Sequence, residues 1–384
     1  MSAYKKFCFG FLAMIALFWL GFLALCVLLW LYDPFMFFHK PYFREWTFAS
    51  DRRLVVKGMV DFVEFDSAIF GSSMLENTLS KEADEKIGGK WLNLAINSSR
   101  IYEREALIQY ILKHKQIKQI IYALENYFLV KGEFGEDSKF TPLNLNRSFW
   151  QNFKIYLDKH FIKCALKWSK EKECVGRKLN TFADWYSKDF WGFENWHNAE
   201  KEMFVKELKL YENNNYKVVE FRSIEMQKYI KEHILVYAEQ NPQINFYFVL
   251  PTQSRFFWKI PYFWNDSNFG TNASIKRSSK QYYADWKVMI KWFIQESAKY
   301  PNVKIYGLDD LDYADSLDNY TDARHYNPDM NSLQLDAIAN GTHILTPENI
   351  DKYLQTMENK IKSYDIAPLI NEIKEWEKNS SKSQ

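Results

Sequence analysis

The sequence predicts an α/β fold in which helices cover both faces of a mainly parallel sheet, with one transmembrane helix ahead of that fold. Three observations lead to this prediction: an uncharged apolar run near the N-terminus, short apolar runs that alternate with amphipathic stretches, and an aromatic-rich segment between two of those runs. Strands that alternate with helices are typical of parallel sheets with helices on both sides. We therefore expect a three-layer α/β domain with a membrane anchor and a mostly helical insertion.

The membrane anchor is predicted from the apolar run at residues 7–31, which follows Lys5 and Lys6. As a helix, its 25 residues rise about 1.5 Å each, enough to cross a hydrocarbon core of about 30 Å. A cleaved signal peptide has a shorter apolar core and a small-x-small cleavage site, neither of which is present here. The two lysines favour a cytoplasmic N-terminus, so this is expected to be a single-pass protein of the cytoplasmic (inner) membrane with its soluble domain in the periplasm or cell exterior. The aromatic residues that follow are interpreted as an interfacial belt: Trp30, Tyr32, Phe35, Phe37 and Phe38.

Five short apolar runs are the candidate strands, and three longer stretches with apolar residues near helical spacing are the candidate helices. The strands are predicted at residues 67–70, 91–96, 117–124, 244–250 and 303–308. The helices are predicted at residues 102–115, 218–240 and 274–299.

These elements divide the chain into five predicted segments. Residues 1–32 hold the cytoplasmic N-terminus and the anchor, 33–60 a juxtamembrane linker, 61–127 with 216–345 the α/β domain, 128–215 the insertion, and 346–384 a C-terminal helix and tail. The insertion contains no clear strand and ends in an Asn213–Asn215 triplet that predicts a turn. Its tryptophans form either its own core or a surface for sugar stacking or a partner: Trp150, Trp168, Trp185, Trp191 and Trp196.

Composition excludes several classes of protein. Lys and Arg number 50 against 48 Asp and Glu, a net charge of +2, so no nucleic-acid partner is expected. Four cysteines are too few for a disulfide framework or a Cys-rich zinc module. Cys164 and Cys174 either pair in an oxidising compartment or remain two thiols. Neither a metal nor a cofactor is predicted, because no His/Cys/Asp cluster has metal-ligand spacing and Gly88-Gly89 lacks the rest of a phosphate loop.

Two polar loops carry the candidate chemistry. Gly71-Ser72-Ser73 follows the first strand, and its hydroxyls either cap the next helix or provide a nucleophile beside backbone N–H groups. Asp322-x-x-His325 follows the last predicted strand, where a carboxylate can orient the imidazole; the alternative is a surface histidine beside an incidental acid. A nucleophile needs a base and a group that orients the base. Because sites in such sheets form at the carboxyl ends of the strands, we expect the hydroxyl and the imidazole to meet there.

The Gly-Ser-Ser and Asp-x-x-His motifs together resemble the SGNH (GDSL-like) hydrolase superfamily, which has a flavodoxin-like fold. The resemblance spans about residues 66–343 without the insertion. With the anchor, the chain is most similar to the cell-envelope branch that includes DltD-like proteins and the alginate and peptidoglycan O-acetyltransferases. The resemblance implies Ser73 as nucleophile, His325 as base and Asp322 as the orienting acid. Ser72 stands where Asp is usual, a change also found in the DltD-like branch.

The resemblance also implies an oxyanion hole. Residues 93–98 match the second block of the family, whose backbone N–H comes here from Ser98 where Gly is usual. Residues 123–126 stand in place of Gly-x-Asn-Asp with the register shifted by one, so Asn126 competes with Asn97 for the side-chain donor.

Two further loops follow predicted strands. Gln253 and Arg255 come after the fourth strand and either contact an acceptor glycan or are satisfied loop polar groups. Asp309 and Asp310 follow the fifth strand, where they could supply an alternative acid or a metal contact.

The function that the resemblance implies is that of a membrane-anchored serine acyltransferase or esterase. It would move an acyl group, with acetyl expected, to or from hydroxyls of a cell-envelope glycan, and the residues leave transfer and hydrolysis both open. Such proteins work beside a membrane-bound O-acyltransferase, so the expected partners are that protein, the glycan acceptor and the lipid bilayer. The alternatives are a catalytically inactive SGNH-like glycan-binding or assembly subunit, and a single-pass α/β protein whose motifs are coincidental.

Overall fold

The computed structural model describes residues 3–49, 51–130, 143–183, 185–212, 220–260 and 279–380. They form an α/β structure with a six-stranded mixed sheet, many helices and one long apolar N-terminal helix, which confirms the α/β class and the apolar N-terminal helix. The chain divides into two compact units. The first unit holds residues 1–64 and 142–181, and the second holds residues 65–141 and 182–384. The five predicted segment boundaries remain predictions.

The strands are β1 (Thr47–Phe48), β2 (Ser67–Phe70), β3 (Trp91–Asn93), β4 (Gln119–Ala123), β5 (Arg177–Lys178), β6 (Asn245–Leu250), β7 (Val303–Gly307) and β8 (Ile344–Leu345). The helices are α1 (Ala3–Tyr32), α2 (Arg52–Phe62), α3 (Ser73–Glu76), α4 (Ser80–Ile87), α5 (Ile101–His114), α6 (Asn126–Val130), α7 (Phe149–Tyr156), α8 (Lys159–Leu166), α9 (Lys172–Val175), α10 (Asn198–Glu212), α11 (Ser223–Ile230), α12 (Val236–Gln240), α13 (Arg255–Lys259), α14 (Ser279–Ser297), α15 (Pro328–Asn340), α16 (Ile350–Ser363) and α17 (Ala367–Ser380).

In the first unit, the stretch Tyr4–Tyr32 of α1 is long and apolar enough to span a membrane. The five aromatic residues interpreted as an interfacial belt differ in exposure, since Trp30 is exposed, Phe37 and Phe38 are half-buried, and Tyr32 and Phe35 are buried. Tyr32 is 1% exposed and Phe35 6% exposed. The ring of Phe35 packs 5.8 Å from Tyr156 and 5.0 Å from Phe161. These rings are buried because α7 and α8 supply aromatic partners that the local sequence around residue 35 does not reveal.

The second unit contains the large sheet, whose strand order is β3-β2-β4-β6-β7-β8. The first five strands in this order are parallel, and β8 is antiparallel to β7. The chain passes from β2 outward to β3 and then returns to the other side of β2 as β4, so the direction of winding reverses between β2 and β4. Ligand sites in open α/β sheets form at such reversal points, outside the carboxyl ends of the strands.

Helices pack on both faces of this sheet. Alternate residues of a strand point to opposite faces. On one face Val249 belongs to a buried cluster that includes Leu335 and Ile338 of α15. On the other face the ring of Phe248 lies 5.1 Å from Phe293 of α14. The continuous apolar runs of the central strands are therefore explained by burial on both sides.

The predicted strands agree with β2, β3, β4, β6 and β7 to within three residues at each end. Two short pairings were not predicted. One is between β7 and β8. The other is between β1 and β5, of which β5 lies in the segment predicted to hold no strand. A two-residue strand is too short to show the alternation of apolar and polar residues that identifies strands.

The predicted helix at 102–115 corresponds to α5, and that at 218–240 to α11 and α12 with a π-helical turn between them. The predicted helix at 274–299 corresponds to α14. Residues 218–219 and 274–278, and the Asn213–Asn215 turn, lie outside the described residues. The C-terminal segment holds two helices, α16 and α17, where one was predicted.

Candidate active site

The Gly71-Ser72-Ser73 segment, which we call the serine loop, leads from strand β2 into helix α3. Ser72 is the N-cap of α3, and its Oγ accepts a hydrogen bond of 3.3 Å from the backbone N–H of Met74. A Cβ on Gly71 would lie 2.8 Å from Cβ of Leu75, so this position requires glycine because of space rather than backbone angle. Of the two candidate hydroxyls, that of Ser72 therefore caps the helix, and that of Ser73 faces the loop that contains His325.

The structure brings Ser73, His325 and Asp322 together in one hydrogen-bonded series. Ser73 Oγ lies 2.8 Å from His325 Nε2, although 252 residues separate them in the chain. His325 Nδ1 lies 2.6 Å from Asp322 Oδ2. A carboxylate can only accept hydrogen bonds, so Nδ1 carries the ring proton and Nε2 is left to accept the proton of the Ser73 hydroxyl. The geometry is that of a nucleophile, a base and an orienting acid.

The carboxylate of Asp322 is held in its ionised form. Burial raises the pKa of this group, but the neighbouring His325 and the hydrogen bonds it receives outweigh burial and lower the pKa to about 2. Besides the ring, the backbone N–H groups of Arg324 and His325 donate to Oδ1, each at 2.7 Å. Asp322 is therefore negatively charged at neutral pH and stabilises a proton on the imidazole.

The loop that carries His325 is closed by its own backbone. The N–H of Thr321 donates to the carbonyl of His325 at 2.9 Å, and Tyr320 and Tyr326 form a bridge across the loop. The helix that follows, α15, contacts the serine loop, since Asn331 Nδ2 donates to the carbonyl oxygen of Met74 at 3.0 Å. These bonds hold the imidazole in place against the hydroxyl.

A buried ion pair between Arg104 and Glu125 is hydrogen-bonded to the backbone of the serine loop. Glu125 Oε1 accepts a hydrogen bond of 3.0 Å from the N–H of Ser72 and another of 2.7 Å from Arg104 Nη2. Arg104 Nη1 donates to Glu125 Oε2 at 2.8 Å and to the carbonyl of Ala123 at 2.7 Å. The two side chains are only 2% and 1% exposed. Burial opposes the charge of Arg104, but the attraction of Glu125, the hydrogen bonds between the two side chains and the neighbouring tyrosines together outweigh burial and raise the pKa of the guanidinium.

The same network reaches the residue before Ser72. Arg104 Nε donates to Ser99 Oγ at 2.9 Å, and Ser99 Oγ donates to the carbonyl of Gly71 at 3.0 Å. The peptide group on the N-terminal side of Ser72 is thus held through both its C=O and its N–H. The sequence offers one signal for Glu125, its place directly after a strand of the sheet, and none for Arg104, which lies within a helix.

Trp185 lies beside the imidazole, within the segment predicted as an insertion. Its ring is 5.2 Å from that of His325, with an angle of 58° between the planes. Its Nε1 donates to Glu76 Oε2 at 2.9 Å, and the nearby N–H of Ala183 donates to Asn77 Oδ1 at 2.7 Å. The segment that carries Trp185 is therefore fastened to the residues just after the serine loop.

The residues proposed for an oxyanion hole have different surroundings. Ser98 has φ +53°, the left-handed backbone conformation that favours glycine. Asn97 is exposed, and its Oδ1 accepts from Ser98 Oγ at 3.0 Å. Asn126 is 5% exposed, and its buried amide atoms have no hydrogen-bond partner among the described residues.

Gln253 and Arg255 are buried side chains rather than exposed ones. Gln253 is 1% exposed, and its Nε2 donates to the carbonyl of Pro251 at 3.2 Å. Arg255 is 0% exposed and donates to Asp315 Oδ1 at 2.7 Å through Nε. Gln253 Oε1 and Arg255 Nη1 are nevertheless buried without a hydrogen-bond partner among the described residues, so neither side chain is fully satisfied. The contact with an acceptor glycan remains a prediction.

Asp309, named as an alternative acid, has internal partners of its own. Its Oδ1 accepts from the N–H of Gln253 at 3.0 Å and its Oδ2 from the hydroxyl of Tyr353 at 3.1 Å. Asp309 is 2% exposed. Burial raises the pKa of this carboxyl to about 7 against the opposing effect of those hydrogen bonds and of Arg255.

One group of potential metal ligands occurs among the described residues, in the first unit. His160, Cys164 and Cys174 place their ligand atoms within 4.8 Å of one another. Cys164 and Cys174 form a disulfide with their Cα atoms 5.7 Å apart, which decides between the two states that the sequence left open. The disulfide form offers no thiolates to a metal.

No family model, no curated protein and no solved structure matches this chain. The likeness to SGNH hydrolases is thus an interpretation of its motifs. The geometry around Ser73 is the observation from which a function can be argued.

Proposed function

We propose that this chain is a membrane-anchored SGNH-type serine acyltransferase or esterase that acts on hydroxyl groups of a cell-envelope glycan. The observation that carries the proposal is the hydrogen-bonded series from Ser73 Oγ through His325 to the ionised Asp322. The place of the serine loop, at the carboxyl end of β2 where the winding of the sheet reverses, supports it. Helices on both faces of the sheet are compatible with the three-layer, flavodoxin-like form of that superfamily.

In the first step, the Ser73 oxygen attacks the carbonyl carbon of an acyl donor while His325 Nε2 takes the hydroxyl proton. The negative charge of Asp322 stabilises the imidazolium that results. The donor's bond to its leaving group then breaks, His325 returns the proton to that group, and the acyl group remains as an ester on Ser73. The backbone N–H groups of Ser73 and Ser98 are the proposed donors to the oxyanion, at about 3 kcal/mol each.

In the second step, a glycan hydroxyl loses its proton to His325 and attacks the acyl ester. The bond between Ser73 Oγ and the acyl carbon breaks, and Oγ recovers the proton from the imidazolium. Water in place of the glycan gives an esterase by the same path. Because an anchor raises the effective concentration of the domain near membrane-bound donors, we favour transfer, with acetyl as the acyl group and a membrane-bound O-acyltransferase as its source.

The test is turnover by the purified full-length chain in detergent with 4-nitrophenyl acetate as the donor. Replacement Ser73→Ala removes the attacking oxygen and is expected to lower kcat/KM at least about 10³-fold. An oligosaccharide acceptor with mass detection of the acylated product then separates transferase from esterase activity.

The matched control is Ser72→Ala, which removes the neighbouring hydroxyl. It loses an N-cap worth about 1 kcal/mol of stability but retains Ser73, so turnover is expected to persist. Equal turnover in Ser73→Ala and the wild-type chain would contradict the proposal. A folded wild-type chain without turnover would favour the inactive glycan-binding or assembly subunit.

A further inference from the structure

The first unit carries several apolar side chains that are largely exposed. Phe149 and Trp150 of α7 are 48% and 75% exposed, Leu166 of α8 67%, and Leu157 between the two helices 42%. Single exposed apolar side chains are ordinary, whereas a concentration of them in one short segment marks an interaction surface. We call the exposed side chains of residues 149–167 the α7–α8 surface.

The α7–α8 surface combines these apolar groups with lysines. Trp150, Lys154 and Leu157 are spaced i, i+4 and i+7, so they share one side of α7, and all three are exposed. Lys159, Lys163, Leu166 and Lys167 repeat the spacing on α8 and are exposed as well. Trp and Leu beside snorkelling lysines are the composition of helices that lie in a membrane interface.

The charge of this part of the chain differs from that of the whole. Residues 143–181 contain nine Lys and Arg against three Asp and Glu, a net charge of +6, although the entire chain carries only +2. Anionic phospholipid headgroups attract basic segments that lie within a Debye length of the surface.

The position of this unit along α1 points to the same partner. Residues 7–24 of α1 are exposed apart from Cys8, and burial by the unit starts at residue 25. Those 18 residues extend over about 27 Å of helix, close to the roughly 30 Å of a hydrocarbon core. A bilayer centred on this exposed length therefore ends where the unit begins to cover α1.

Direct contacts tie the α7–α8 surface to that end of α1. Tyr32, the last residue of α1, donates from its hydroxyl to the carbonyl of Ser169 at 2.7 Å. The ring of Phe38, six residues after α1, lies 4.7 Å from Phe149. The disulfide between Cys164 and Cys174 holds α8 to α9. These contacts connect the part of the chain around α7 and α8 to the C-terminal end of α1, where the exposed apolar length of that helix stops.

We infer that the α7–α8 surface inserts into the headgroup region of the bilayer that α1 crosses, with Trp150 as an anchor among lysines that contact anionic phospholipids. The first unit is then a second membrane attachment that restricts rotation and tilt of the chain about its single span. This inference does not depend on the proposed acyl-transfer reaction.

The test uses full-length chain in nanodiscs of phosphatidylcholine and phosphatidylglycerol, with one environment-sensitive NBD label at position 150. Trp150→Cys is made with Cys8→Ser and Cys26→Ser, which leaves the disulfide intact. We expect a blue-shifted NBD emission that doxyl-labelled lipid quenches and aqueous iodide does not. Leu17→Cys, in the exposed part of α1, is the control for a label within lipid.

The matched comparison is Ile224→Cys, an apolar side chain of the second unit that is 80% exposed and not part of the α7–α8 surface. Its label is expected to remain open to iodide. The inference is overturned if, in a folded chain, aqueous iodide quenches the label at position 150 and doxyl-labelled lipid does not. Because the nanodisc holds no other protein, that outcome would assign the α7–α8 surface to a protein partner instead.

Discussion

Glu125 and Arg104 hold the backbone of the serine loop through charges that are almost completely buried. An ion pair removed from water gains little net stability, because desolvation offsets the attraction, but loss of one partner leaves an uncompensated charge. Each side chain also makes a bond that the fold needs elsewhere, Glu125 to the N–H of Ser72 and Arg104 to the carbonyl of Ala123. We therefore interpret both as positioning residues for Ser73.

Replacement Glu125→Gln is expected to lower both stability and turnover. The buried guanidinium of Arg104 loses its counter-charge, at a cost of about 3–5 kcal/mol in the free energy of unfolding. A small displacement of Ser73 is expected to lower kcat about 10²-fold. Thermal unfolding and steady-state kinetics on the chromogenic ester measure the two effects.

The double variant Arg104→Met with Glu125→Leu separates positioning from stability. With both charges removed, stability is expected to recover to within about 2 kcal/mol of the wild-type value. Turnover is expected to stay low, because the N–H of Ser72 has still lost its acceptor. Wild-type kcat in a stable double variant would show that the network does not position the serine.

At the scale of elements, the strand-loop-helix unit of β2, the serine loop and α3 depends on the absence of a side chain at Gly71. Its missing Cβ would lie 2.8 Å from Cβ of Leu75 and 3.3 Å from Cβ of Ala123. Both neighbouring atoms are attached directly to backbone, so no rotation of a side chain can relieve the contact. The chain must instead separate α3 from the sheet.

Replacement Gly71→Ala is therefore expected to destabilise the second unit by about 1–3 kcal/mol and to lower turnover by moving Ser73. Leu75→Ala added to it should not restore either property, because the contact is with the Cβ that Ala retains. Gly21→Ala is the control, since nothing lies within 4 Å of a Cβ added there. Unchanged unfolding of Gly71→Ala would contradict this account of the loop.

The longer and more fully buried strands could be predicted from the sequence, whereas the shortest ones could not. The five parallel strands are continuous apolar runs because helices cover both faces, and that pattern is visible in the chain. The two-residue strands β5 and β8 form because a partner strand lies beside each of them. Their own residues carry no local pattern that predicts this pairing. The end of α1 illustrates the same limit, since Tyr32 and Phe35, which were expected at a membrane surface, are buried by a segment more than a hundred residues away.

At the scale of the whole molecule, Asp309 links the stability of the second unit to pH. Its carboxyl joins the loop after β6, through Gln253, to α16, through Tyr353. Burial raises its pKa in the folded chain to about 7, from 3.8 ordinarily. Between these values the folded state keeps a proton that the unfolded state has released, so the contribution of Asp309 to stability falls as pH rises.

Replacement Asp309→Asn is expected to remove this dependence, because an amide resembles the protonated acid and cannot ionise. Below about pH 3.8 the variant and the wild-type chain should be nearly equally stable, the difference should grow between that pH and pH 7, and above pH 7 the variant should be more stable by up to about 4 kcal/mol. Thermal or denaturant unfolding at pH 5 and pH 8 measures the difference. If the free energies of unfolding of the two chains changed with pH by the same amount across this range, Asp309 would not be the source of the pH dependence.

The sequence by itself determined the α/β class, an N-terminal helix long and apolar enough to span a membrane, and the two loops that hold the candidate triad, because each leaves a local pattern of apolar or polar residues. Only the tertiary structure decided that Ser73 Oγ lies within hydrogen-bond distance of His325 Nε2, that Glu125 and Arg104 support the serine loop, and that Gln253 and Arg255 are buried. These outcomes depend on pairs of residues tens to hundreds of positions apart. Packing of the folded chain brings such pairs together, and no short window of the sequence contains both residues of a pair.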